Sequence, residues 1–171
     1  ADPLKRWKLS PIDVAAREYR DLCAAVRVLG HLEPRASDLV VSRGERLSAQ
    51  ILTAALAAAG VRVRYVDAVD VIETDGHFGG AAPLLPATTR QARRLLRPIL
   101  KRKGIAVVPG FIGRAHDGTV ATMGRGGSDL TATTIGRALG AREVVLWKDV
   151  PGILTADPRL PPVLVLVAGH L

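Results

Sequence analysis

Met123-Gly124-Arg125-Gly126-Gly127-Ser128-Asp129-Leu130-Thr131-Ala132 holds the densest potential chemistry in the chain. It reads as a glycine-rich loop entering a helix, with Ser128 and Asp129 suited to the cap and first turn. A helix start offers unpaired N–H groups and about half a positive charge, which suits a phosphate or carboxylate. Gly124, Gly126 and Gly127 lack the Cβ atoms that would hold an anion away from the backbone. Arg125 adds a planar fork that grips either anion by two bonds. The same glycines would also serve a tight turn, with Arg125 in solvent. The run is not a Walker A loop, since no Gly-Lys-Ser/Thr follows. Nor is it a dinucleotide fingerprint, because Asp129 stands where a third glycine belongs.

The elements that must position this loop follow from periodicity. Residues 11–29 predict a helix capped by Ser10, with Pro11 at its first position. Residues 34–41 predict a short helix, and 47–60 a second, wide-faced one after Ser42-Arg43-Gly44-Glu45. That puts Glu45 at a helix start, where the dipole favours a carboxylate whether or not it does chemistry. Residues 61–66 alternate as a strand, and 70–86 form an irregular excursion with a short strand. Residues 88–103 form a basic helix that Pro98 kinks or breaks. Two β-branched runs, 105–108 and 144–147, have the pattern of buried parallel strands. The alternation implies an α/β layered fold with a mainly parallel sheet. In such sheets ligands bind beyond the carboxyl ends of the strands. Gly110-Phe111-Ile112-Gly113 and Lys148-Asp149 both sit at such ends, and the glycine-rich loop lies between them in sequence.

Composition narrows the function classes. A chain of 171 residues, 48% hydrophobic, is sized for one domain with a real core. Lone Cys23 reads as a small buried hydrophobe. No apolar run approaches the ~20 residues that span a bilayer. No signal-peptide pattern opens the chain either, so a cytoplasmic setting is expected. The net charge of +8 is concentrated in Arg90, Arg93, Arg94, Arg97, Lys101, Arg102 and Lys103, with no acid among them. Ala92, Leu95, Leu96 and Ile99 interleave at helical spacing, so these charges read as a solvated helix face. Without interleaved aromatics, a nucleic-acid partner is not expected. The four histidines show no ligand spacing for a zinc site.

Four motifs together resemble aspartate kinases of the amino-acid kinase superfamily. They are Gly44-Glu45-Arg46-Leu47-Ser48, Gly110-Phe111-Ile112-Gly113, the run from Thr122 to Asp129, and Trp147-Lys148-Asp149-Val150-Pro151-Gly152 continuing through Thr155-Ala156-Asp157-Pro158-Arg159. The resemblance covers about residues 11–160 and implies a three-layer αβα sandwich, the amino-acid kinase fold. It also implies ATP-dependent phosphorylation of the side-chain carboxylate of L-aspartate, with Mg2+, as the first step towards lysine, threonine and methionine. By matching positions, Glu45, Arg125 and Ser128 would hold aspartate, Arg125 taking its carboxylate and Glu45 its ammonium. Catalytic roles fall to Asp129 and Arg125. Gly124, Gly126, Gly127, Ser128, Lys148, Asp149, Asp157 and Arg159 would face ATP. Asp149 also reads as a simple turn residue before Pro151-Gly152. Phosphoryl transfer to a carboxylate requires two anions to be aligned and their repulsion offset, which this donor set does.

The chain departs from the family pattern at both ends. The family's opening Lys-Phe-Gly-Gly strand has no counterpart, and residues 161–171 do not match. The resemblance therefore implies a partial kinase domain, without regulatory ACT domains and weak or inactive alone, from a parent enzyme that is a homo-oligomer. A non-enzymatic nucleotide-binding remnant or subunit is the other class the sequence leaves open.

Overall fold

A computed structural model of the chain describes residues 10–147; Lys148, Asp149, Asp157, Arg159 and the segment 161–171 lie outside the described residues. The elements run α1 (Ser10–Leu29), α2 (Pro34–Ala58), β1 (Val63–Tyr65), α3 (Ala68–Val71), α4 (Leu85–Lys101), β2 (Ile105–Val107), β3 (Ile112–Arg114), β4 (Val120–Thr122) and α5 (Gly127–Leu139). β1 and β2 pair in parallel, with Val63 opposite Ile105 and Tyr65 opposite Val107. The connection between them passes through α3 and α4, as a parallel pair requires. β3 and β4 form an antiparallel hairpin with Ile112 opposite Thr122, and a parallel bridge joins Glu73 to Arg114. The architecture is α/β.

The helices of α2 differ from the sequence reading. Segments 34–41 and 47–60 are one helix of 25 residues that runs through Ser42-Arg43-Gly44 without interruption. Ser42 is fully buried, and its hydroxyl donates to the Leu39 carbonyl at 2.8 Å. That bond satisfies inside the helix a side chain that more often ends one. Glu45 consequently lies in the middle of α2, where the end charge of a helix does not reach. Pro98 likewise breaks nothing: it stands inside α4. It lies on the exposed side near the helix end, where losing one N–H donor beside solvent is tolerated.

The hairpin was hidden by its brevity. His116-Asp117-Gly118 forms its turn, and the flanking strands are three residues each, too short for alternation to register. The opposite error concerns residues 144–147. This run is neither strand nor buried: Val145 is 58% and Trp147 92% exposed. No strand of the described residues runs beside it to supply a ladder.

The core forms where α4, α5 and α3 meet the strands, around Val71, Ile72, Ala92, Leu96, Met123 and Ala138. A second cluster of Ala68, Ile112 and Val120 lies under the hairpin. The basic residues of α4 point away from Ala92 and Leu96, as the solvated-face reading expects. Arg93 is turned to use: its Nε donates to the Ala138 carbonyl at 2.8 Å, where a cation also complements the C-terminal end of α5.

Asp67 locks the corner between β1 and α3. It accepts the Val69 N–H at 3.2 Å as an N-cap, pairs with Arg46 of α2 at 3.0 Å, and accepts the Tyr65 hydroxyl at 3.3 Å. Burial, then the Asp67 charge, push the Tyr65 phenol up to about 12, with Arg46 opposing. The folded chain thus retains a proton that the unfolded chain releases near the ordinary value of 10. The contribution of Tyr65 is complete below pH ~10 and is lost as pH rises through about 12. Denaturant titrations of the parent chain and Tyr65→Phe should show stability falling more steeply between those limits for the parent. Parallel slopes would refute the assignment.

Candidate active site

The glycine-rich loop begins two residues after β4. Gly124 (φ +67°) and Gly126 (φ +74°) take the left-handed conformation, and Gly126, not Ser128, is the N-cap of α5. Ser128 and Asp129 therefore fall inside the first turn. The close packing beneath the loop explains the glycine at 127. A Cβ there would lie 2.8 Å from the Phe111 ring and 3.0 Å from the Met123 Cβ. Gly110 stands on the other side of the same contact, where a Cβ would meet the Ser128 backbone at 3.0 Å.

Phe111 completes this junction at a conformational cost. Its φ of +71° lies in the left-handed region, which costs a residue with a side chain about 1–2 kcal/mol. Two hydrogen bonds hold it there: the Phe111 N–H donates to Thr131 Oγ1 at 3.0 Å, and the Met123 N–H donates to the Phe111 carbonyl at 2.8 Å. Thr131 in turn donates to the Gly127 carbonyl at 2.8 Å. The start of β3, the end of β4 and the first turn of α5 are thereby fixed to one another.

Above this junction opens a cleft of about 470 Å³, lined by Val41, Glu45, Phe111, the glycines 124, 126 and 127, and Arg125, Ser128 and Asp129. Glu45 is half-buried, Arg125 and Ser128 are exposed, and Asp129 is half-buried. All the expected site residues within the described region meet in this one cleft. Glu45 arrives from α2, the others from the loop and α5. The two arginines nearest Glu45 are engaged elsewhere, Arg43 with Glu18 at 3.9 Å and Arg46 with Asp67 at 3.0 Å. A second cleft of about 440 Å³ shares Glu45 and Ser128 but, Thr131 aside, is otherwise apolar, with Leu96, Val108, Ile135 and Leu139 among its walls. The polar cleft has a cationic fork and a helix start together with a carboxylate. That arrangement suits a small molecule bearing both an anionic and a cationic group.

Val41 and Thr131 were not singled out from the sequence, and Phe111 only as part of a strand-end loop. Thr131 carried a faint signal, since a threonine four residues after the helix's first glycine can bond back to it. No grouping of three or more His, Cys, Asp or Glu suited to a metal occurs among the described residues. No helix among them is long and apolar enough to cross a membrane.

With Gly127→Ala, the clash against Phe111 and Met123 should cost about 1–3 kcal/mol of stability. Chemical denaturation measures it, and an unchanged midpoint would show that the junction is looser than described.

The chain is similar to known proteins in both sequence and fold. The amino acid kinase family matches residues 8–165. The chain is 42% identical over 147 residues to the chloroplastic aspartokinase 1 of Arabidopsis thaliana, a match covering 84% of this chain and 26% of that protein. It is 39% identical over 127 residues to the lysine-sensitive aspartokinase 3 of Escherichia coli, covering 74% and 28%. It also superposes on the crystal structure of E. coli aspartokinase III in complex with aspartate and ADP, with a TM-score of 0.81 and 34% identity, covering 91% of this chain and 35% of that one. The chain thus spans about a quarter to a third of the length of these relatives.

Proposed function

Because this chain belongs to the amino acid kinase family, we propose that it is the part of an aspartate kinase that holds L-aspartate and presents it to ATP. The observation that carries this reading is the meeting of Glu45 with Arg125, Ser128 and the first turn of α5 in one cleft. Arg125 takes a carboxylate of aspartate by two charge-assisted bonds, and Glu45, with its neighbouring arginines paired elsewhere, takes the ammonium. Ser128 stands where both clefts meet and positions the substrate between them. Gly124, Gly126 and Gly127 let phosphate oxygens approach the helix start, and Asp129 stands beside the transferring group. Lys148, Asp149, Asp157 and Arg159 complete the nucleotide side in this reading.

The donor set fits the proposed partners. ATP brings several negative charges to a site whose described part supplies a guanidinium and a helix N-terminus. Mg2+ in phosphoryl-transfer sites takes one or two carboxylates with phosphate oxygens and keeps several waters, and in this reading Asp129, which lines the cleft, would supply a carboxylate. The ion supplies charge neutralisation on the phosphates when bound. The protein's own contribution is alignment: a carboxylate oxygen of aspartate held in line with the phosphoryl group, with Arg125 offsetting the repulsion between the two anions. The basic face of α4 remains a solvated face in this reading, with no nucleic-acid partner. Cytoplasmic work within a homo-oligomeric parent enzyme belongs to the same proposal.

Calorimetric titration with L-aspartate and with Mg2+-ATP tests it. Arg125→Ala removes a charge-assisted pair of about 1.5–3 kcal/mol, so aspartate affinity should fall roughly tenfold to a hundredfold. Glu45→Gln should weaken aspartate binding and leave ATP binding unchanged. A folded chain that binds neither ligand would sink the proposal.

A further inference from the structure

Asp38 is the most deeply buried carboxylate among the described residues, at 3% exposure, and lies seven residues before Glu45 on α2. One of its oxygens accepts the Gly79 N–H at 2.9 Å and the Thr122 N–H at 2.8 Å. The other accepts the Thr122 hydroxyl at 2.7 Å. A carboxylate is retained in such a place only when its oxygens are satisfied, so the three bonds are mutually dependent. They do not support the fold at random. Thr122 ends β4, two residues before Gly124. Gly79 belongs to a turn whose carbonyl stands 3.0 Å from where a Cβ on Gly124 would be. Asp38 therefore ties down the entry to the glycine-rich loop, directly through Thr122 and indirectly through the turn packed on Gly124.

Seven residues are almost two whole turns of helix, so Asp38 and Glu45 share one face of α2, about 10 Å apart along its axis. The other polar ties that leave α2 go elsewhere: Arg35 to Asp117, Arg43 to Glu18 and Arg46 to Asp67. We propose that Asp38 is the positioning residue of the cleft, a buried cross-tie that sets the separation of Glu45 from Arg125 and the first turn of α5. It touches no substrate. Its effect on binding rests on the reading of the cleft as an aspartate site, whereas its hold on the loop does not.

Two measurements on the full 171-residue chain separate those parts: amide hydrogen exchange without ligand, and calorimetric affinity for L-aspartate. Asp38→Ser is too short to reach all three donors. It should speed exchange across residues 122–127 by about tenfold or more while α4 keeps its protection, and should weaken aspartate binding by a similar factor. Asp38→Asn should restore both to within about threefold, because its carbonyl oxygen accepts the two N–H groups and its amide donates to Thr122 Oγ1. Should Asp38→Ser fail to fold, Thr122→Val removes one bond of the three and should loosen the same segment by about threefold. Uniform loosening that includes α4, or an unchanged loop, overturns the cross-tie. Loop exchange as expected in a parent chain that binds no aspartate supports the cross-tie and overturns the aspartate reading alone.

Discussion

The backbone of residues 110–111 and the first turn of α5 approach so closely that a Cβ on Gly127 would collide with Phe111 and one on Gly110 would crowd Ser128. The rest of the site depends on that contact. It places the start of α5 over the chain entering β3 and lets Thr131 bridge Gly127 to Phe111. Packing of this kind is far more specific than apolar burial, because a methyl group at Gly127 collides with Phe111 and one at Gly110 forces Ser128 to shift. It also explains why the loop ends in consecutive glycines: the first sets a left-handed cap and the second permits the approach.

Much of this was legible beforehand, because the informative signals were local. A glycine-rich run before helical spacing, a β-branched run ended by Pro109-Gly110, and charges set on one side of Ala92 and Leu96 each depend on neighbours a few residues away. The misread features depend on partners far along the chain. α2 reads as two pieces because Ser42 and Gly44 look like breakers, and only burial shows that the Ser42 hydroxyl is satisfied within the helix. Asp38, in an otherwise apolar turn, gave no hint that its acceptors would be met by residues 41 and 84 positions away. The hairpin strands were too short to carry a period. Residues 144–147 failed in the other direction, since β-branched composition says that a strand would be welcome and not that a neighbour is present.

The electrostatic organisation of the cleft comes from exclusion as much as placement. Glu45 sits between two arginines in sequence, but residues one or two apart on a helix do not face each other, so neither shares its side of α2. Each pairs with another carboxylate, one on α1 and one at the corner after β1. A half-buried carboxylate whose neighbouring cations are occupied is a receptor for an incoming cation. The guanidinium and helix start across the cleft are a receptor for an anion. Two opposite demands in one cleft select a zwitterion over either simple ion. An apolar cleft adjoining at Glu45 and Ser128 extends the surface without adding charge.

The left-handed Phe111 has a consequence for how such a chain would change under selection. A glycine at that position would escape the steric penalty and keep both backbone hydrogen bonds. The ring, however, packs on the cluster of Ala68, Ile112 and Val120 and lies against Gly127, and truncating a packed phenylalanine costs about 3–5 kcal/mol, more than the strain relieved. Selection for heat resistance would therefore keep the ring and its strained backbone together, and the aromatic wall of the cleft would persist for reasons of packing alone.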